Sequence, residues 1–110
     1  MQLTVQDKYF QLIQRGEKTI EGRLAKPQYT ALKKGDLITF KSSVSTEECT
    51  KTIETVKVFG TFKDMLEALG IQPFLGNGVD DLTEACNVYY AFGDYKKEEE
   101  IYGAVAIHFS

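Results

Sequence analysis

Histidine, cysteine and long apolar runs are scarce in this chain. One histidine, His108, and two cysteines, Cys49 and Cys86, occur among 110 residues. Neither cysteine belongs to a Cys-x-x-Cys pair, so the four close ligands of a structural zinc site are not assembled and no metal is expected. A lone histidine without an identifiable partner disfavours a histidine-based triad. The glycine-rich dinucleotide fingerprint, the Walker loop and the Gly-x-Ser-x-Gly elbow are all missing, and no cofactor is expected. No run approaches the roughly 18–20 apolar residues of a membrane span. The opening residues, Met1 to Asp7, lack the basic and long apolar parts of a signal peptide. The expectation is a cytoplasmic protein with reduced thiols and no membrane partner. Cys86 falls on the apolar side of a helical pattern and reads as buried. Cys49 falls in a polar stretch and reads as an exposed loop thiol. No repeat, low-complexity tract or Pro/Ser-rich linker divides the chain, and its length suits one domain, 1–110.

What remains is an ordinary globular composition, 43% hydrophobic and 26% charged. The net charge of −3 is unevenly spread, with +4 over residues 1–41 and −7 over 42–110. An acidic protein is poorly suited to tight non-specific nucleic-acid binding, which depends on neutralising many phosphates. A local basic face made by Lys18, Arg23, Lys26, Lys33 and Lys34 is compatible with that balance.

The pattern predicts a strand at 2–5 and a helix at 6–15, with Val5, Tyr9, Leu12 and Ile13 as its apolar stripe. Gly16 suits the left-handed residue that closes a helix. A strand at 19–24 is ended by Pro27, and a connection follows in which Tyr29 and Leu32 point inward. Lys34-Gly35-Asp36 signals a turn before a strand at 37–40. Residues 42–50 read as a hairpin loop. The next strand, 51–59, shifts parity between Ile53 and Val56, which a bulge near Thr55 reconciles. Thr61 and Asp81 each open a helix through a capping-box-like pattern. Residues 71–79 read mostly as loop and 96–100 as a solvated helical turn. The last strand, 104–109, sets Val105, Ile107 and Phe109 on one face and His108 on the other. Helices do not alternate regularly with strands, so an α+β domain or small mixed barrel fits better than a doubly wound sheet.

Residues 16–23, Gly-Glu-Lys-Thr-Ile-Glu-Gly-Arg, carry the chemistry. As a strand, they place Glu21 and Arg23 on one face with Thr19, and Lys18, Ile20, Gly22 and Leu24 on the other. Gly22 has no side chain to pack, which marks a bulge or a close approach by a ligand or another backbone. A lysine beside an arginine in an enclosed cleft has a lowered pKa and can act as base or nucleophile, whereas Glu21 favours the charged lysine. Arg23 suits phosphate or carboxylate through its planar fork. A surface ion cluster is the bland alternative.

Gly16-x-Lys18-Thr19-x-Glu21-x-Arg23 resembles the signature of the ASCH domains of the PUA-like superfamily. Lys34-Gly35-Asp36 with its strand, Phe59-x-x-Phe62-x-x-Met65-Leu66, and Tyr102-Gly103 before an apolar strand follow in the family's order. The resemblance covers nearly the whole chain. It implies a small mixed PUA-like β-barrel of about five or six strands with flanking helices. It also implies a cleft partly walled by the Gly-x-Lys-x-x-Glu-x-Arg strand, and a link to RNA. Lys18 and Glu21 are then the candidate catalytic residues, and Thr19, Arg23, Tyr29 and Tyr102 the candidate ligand-binding ones, with a tyrosine stacking on a base. One bacterial branch is similar to N4-acetylcytidine amidohydrolases. Its lysine falls on Lys18, its threonine on Glu21 and its glutamate near Asn77, so two of those three groups differ here. Three functions follow in order: an RNA- or nucleotide-binding module, a hydrolase of a modified nucleoside or of RNA, and a protein-interaction module without ligand. The oligomeric state is open, with a monomer favoured.

Overall fold

The computed structural model describes all 110 residues. Its elements run β1 (Gln2–Val5), α1 (Asp7–Gln14), β2 (Ile20–Leu24), α2 (Pro27–Thr30), β3 (Leu37–Ser42), β4 (Glu48–Phe59), α3 (Phe62–Leu69), α4 (Gln72–Leu75), α5 (Leu82–Tyr90), α6 (Tyr95–Tyr102) and β5 (Ala104–Phe109). The five strands form one sheet in the order β1-β3-β4-β5-β2. Only β1 and β3 are parallel; the other neighbours are antiparallel. The long β4 serves both halves. Its first part pairs with β3, its last part with β5, and a register shift between Ile53 and Thr55 lets it turn from one to the other. The sheet therefore curls into a half-barrel whose two end strands, β1 and β2, face each other across an unpaired seam.

Each face of the sheet has its own core. The concave face holds Phe10, Ile13, Tyr29, Ile38, Phe40, Ile53, Val105 and Ile107. The convex face carries Ile20, Leu24, Ala104 and Ala106 under Phe62, Met65, Leu66, Ala85, Cys86 and Tyr89 of α3 and α5. The alanines of β5 are thus as buried as its branched residues, because helices cover the face that a two-sided strand would leave wet. His108 is half-buried there, its Nε2 without a partner, and burial holds its pKa below the usual value.

Capping fixes where the helices begin. Thr61 Oγ1 accepts the Asp64 N–H at 3.0 Å, and Asp81 Oδ2 accepts that of Glu84 at 3.0 Å. Four expectations are corrected. Residues 72–75 form a helical turn started by Pro73, and Pro27 likewise opens α2. The expected hairpin loop narrows to residues 43–47, because β4 already begins at Glu48, so Cys49 pairs with Phe40 and is only partly exposed. Residues 95–102 make a full helix. Its Glu99 is buried, accepting the Phe62 N–H at 2.8 Å and the Tyr90 hydroxyl at 2.9 Å. The acidic run 98–100 hides that anchor, since composition alone favours a solvated face. Gly103 then turns the chain into β5 at φ 74°, where an added Cβ would stand 2.5 Å from the Phe59 carbonyl. No helix is long and apolar enough to cross a membrane.

Candidate functional site

The end of α1 delivers the first residue of the site. Gly16 adopts φ 77°, its N–H bonds the Ile13 carbonyl at 3.1 Å, and the Glu17 N–H reaches Leu12 at 2.9 Å. This is the Schellman arrangement that glycine permits. Lys18 follows before β2 starts, so strand alternation does not govern its side chain. It turns to the face of Glu21 and not, as period two would have it, to that of Ile20 and Gly22.

There Lys18 is held completely. Its ammonium donates to the Ile20 carbonyl at 2.8 Å and the Phe74 carbonyl at 2.8 Å, and meets Glu21 Oε1 at 3.1 Å. Those three contacts use all three N–H groups. Glu21 Oε2 accepts Arg23 Nε at 2.7 Å. One carboxylate thus bridges two cations, leaving a net positive charge. Lys18 and Glu21 are buried, while the Arg23 side chain keeps 21% of its surface. Burial pulls Lys18 below its ordinary pKa, and the single anion beside it does not restore it. Burial works the other way on Glu21, but Lys18 and Arg23 together outweigh it and hold the carboxyl low. Burial also opposes the charge on Arg23, and Glu21 outweighs it, so that pKa is raised.

The cluster opens on a cavity of about 240 Å³ lying in the seam. Thr4, Val5, Gln6 and Tyr9 wall it from the β1 side, Glu21, Gly22 and Arg23 from β2, and Val88, Tyr89, Phe92 and Tyr95 from the convex side. Tyr89 and Tyr95 lie nearly parallel to the buried Phe62 ring, with centroids at 4.4 and 5.9 Å. The convex wall is therefore a fixed aromatic stack. Arg23 makes no hydrogen bond within the protein through its two terminal NH2 groups, and it offers the cavity a free cationic donor.

Of the residues singled out in the sequence, Lys18, Glu21 and Arg23 meet here. Thr19, Tyr29 and Tyr102 do not line the cavity. Thr19 is a backbone clamp, donating to Pro73 at 3.0 Å and accepting from Phe109 at 3.1 Å. Tyr29 is packed in the concave core. Tyr102 is 40% exposed, with Lys26 Nζ 5.6 Å from its ring centroid. Asn77 lies in a different, shallower groove beside Gly76 and Val79. The basic face does not assemble either: Lys18 is buried and Lys26 pairs with Glu98 at 3.0 Å. Tyr9, Tyr89, Phe92 and Tyr95 escaped notice as site residues. The signal was the aromatic cluster 89, 92, 95, which spans the end of α5, the turn after it and the start of α6.

The ASCH domain model matches residues 3–110. The crystal structure of hypothetical protein PH0355 has 35% identity to the chain and a TM-score of 0.85, with 99% of this chain and 95% of that one covered. The solution structure of protein PF0455 from Pyrococcus furiosus has 32% identity and a TM-score of 0.76, with 99% and 94% covered. No curated protein matches the chain. With the Gly-x-Lys-x-x-Glu-x-Arg strand, the half-barrel and its helices all in their places, the chain belongs to the ASCH domain family.

Proposed function

We propose that this protein is an RNA- or nucleotide-binding ASCH domain whose seam cavity receives one nucleobase at a time. The observation that carries this reading is the wall composition. Four aromatic rings, Tyr9, Tyr89, Phe92 and Tyr95, line a cavity of about 240 Å³ together with the Arg23 guanidinium and the Glu21 carboxylate. That is slightly below the range of about 300–1,000 Å³ typical of drug-sized ligands, and suits a single ring with its sugar outside. Aromatic faces accept any base by stacking, and paired donors and acceptors read its edge. The acidic net charge and the scattered lysines support recognition of a base or nucleoside over a long phosphate track. A cytoplasmic setting belongs to the same reading, supported by two unpaired cysteines.

Fluorescence anisotropy with labelled single-stranded and hairpin RNA at low and moderate salt tests it. Binding to the unpaired strand is expected, weakened at least fivefold by Arg23→Lys, which keeps the charge and removes the fork. No binding at low salt, or binding indifferent to that change, refutes it.

The hydrolase reading rests on Lys18. Its three filled hydrogen bonds support a positioning role over proton transfer, because a base needs a free lone pair and a path to substrate. Incubation with N4-acetylcytidine, read by chromatography, is expected to give the same background for wild type and Lys18→Met.

A further inference from the structure

Gly22 is the one residue of the β2 edge that leaves both its backbone groups bare. Phe109 N–H bonds the Thr19 carbonyl and Ala25 N–H bonds that of Gly103, and the register between them pairs Glu21 with Ile107 and Arg23 with Val105. In an antiparallel ladder of that phase, residues 21 and 23 spend their backbone groups on β5, and residues 20, 22 and 24 point to the seam. No strand lies beyond β2. The Ile20 carbonyl is answered by Lys18 Nζ at 2.8 Å, and the Leu24 carbonyl by the Lys26 N–H at 2.7 Å. Neither the N–H nor the carbonyl of Gly22 is answered, although the residue is buried.

A second group beside it is equally unanswered. Tyr89 is 5% exposed and its Oη has no hydrogen-bond partner. That oxygen lies 2.9 Å from where a Cβ on Gly22 would stand. One N–H, one carbonyl and one phenol therefore converge on the cavity wall. Buried polar groups are normally paired, and each one left bare costs about 1–3 kcal/mol.

We propose that the cavity recognises its ligand by pairing with this strand edge. The ligand is a planar ring with an N–H donor beside a carbonyl or ring-nitrogen acceptor, which is the Watson–Crick edge of an unmodified nucleobase. The ring lies in line with β2, gives its N–H to the Gly22 carbonyl, accepts the Gly22 N–H, and meets Tyr89 Oη at its rim. This rests on the nucleobase reading and adds a restriction to it: the base must be unpaired and unblocked. A base inside a duplex has the same edge occupied and is excluded. Glycine is required at 22 because any side chain would displace the Tyr89 hydroxyl.

The test uses nitrogen-15-labelled wild-type protein, titrated with four nucleosides and their edge-methylated forms. These are uridine and 3-methyluridine, cytidine and N4,N4-dimethylcytidine, adenosine and N6,N6-dimethyladenosine, and guanosine and 1-methylguanosine. The nucleoside that binds best is expected to lose at least tenfold on edge methylation and to shift the Gly22 amide proton downfield. Tyr89→Phe, which removes only the hydroxyl, is expected to weaken binding at least threefold and to leave the melting temperature unchanged or higher. A merely structural tyrosine would leave nucleoside binding unchanged. Edge-methylated nucleosides that bind as well as their parents, with Arg23→Lys still weakening them, overturn edge pairing and leave the nucleobase reading standing. No shift with any nucleoside overturns both.

Discussion

Replacing Glu21 by glutamine preserves the shape of the side chain and removes its charge. In the folded protein this leaves the Lys18 ammonium, 4% exposed, and the Arg23 guanidinium, 21% exposed, facing each other across a neutral amide. Breaking a buried ion pair by removing one partner typically costs about 3–5 kcal/mol, because the surviving charge is left buried and uncompensated. A 110-residue chain has an unfolding entropy of roughly 0.23 kcal/mol per kelvin, so the melting temperature is expected to fall by about 13–22 °C. Circular dichroism melts at pH 7 measure this. Acid titration adds a second readout. The two cations hold the Glu21 carboxyl below its usual 4.5, so the unfolded chain binds that proton more tightly. The stability it contributes is full above about pH 4.5 and is lost as pH falls through the folded value. The Glu21→Gln protein should lack that part of the acid slope. The double variant Lys18→Met/Glu21→Leu, which removes both buried charges, should recover most of the loss. A fall below about 4 °C for Glu21→Gln, or strict additivity in the double variant, would show that the cluster is a solvated ion group and refute its role as the buried floor of the site.

Three other changes probe the frame around that floor. Gly22→Ala places a methyl 2.9 Å from Tyr89 Oη and 3.0 Å from Met65 Cε; a loss of about 1–3 kcal/mol in urea unfolding is expected, together with loss of nucleoside binding. Glu99→Ala strips the partner from the Phe62 N–H and the Tyr90 hydroxyl; about 2–3 kcal/mol should be lost, with broadened resonances for Tyr89 and Tyr95 as the ring between them loosens. Gly103→Ala meets both a positive φ and the Phe59 carbonyl; at least about 2 kcal/mol is expected from the backbone strain alone, read as a reduced melting temperature.

The sequence made much of this frame legible, for physical reasons that differ from residue to residue. Thr61, Asp81 and Gly16 act through backbone groups within a few positions of themselves, so their spacing reveals them. The parity break at Ile53 to Val56 reports the bulge because period two leaves no other way to keep both residues packed. Glu99 was opaque because its partners are 37 and 9 residues away, and local composition describes a solvated helix equally well. Period two places Lys18 on the wrong face because β2 begins only at Ile20, two residues beyond it. Its backbone is claimed instead by the turn after α1, through a bond to Leu12 at 3.1 Å. Tyr89 and Tyr95 lie on two different helices, and only tertiary packing brings both to the seam.

The same arrangement has a simpler explanation, which the predictions separate from ligand binding. An open sheet edge invites pairing with another chain, and inward-pointing charges are one way to discourage it. Glu21 and Arg23, on the end strand of the half-barrel, meet that description. Edge protection accounts for the charges and for Lys18 closing the Ile20 carbonyl. It does not account for Gly22, whose two bare backbone groups leave the edge open, nor for a phenol buried without a partner beside it. A protective edge gains by answering every polar group, whereas a recognition edge must keep some of them bare until the ligand arrives. Removing the Tyr89 hydroxyl distinguishes the two. If the edge is only guarded, Tyr89→Phe stabilises the fold by relieving an unpaired group and changes nothing else. If it recognises a base, the same stabilisation comes with weaker binding, and the two effects move in opposite directions in one variant.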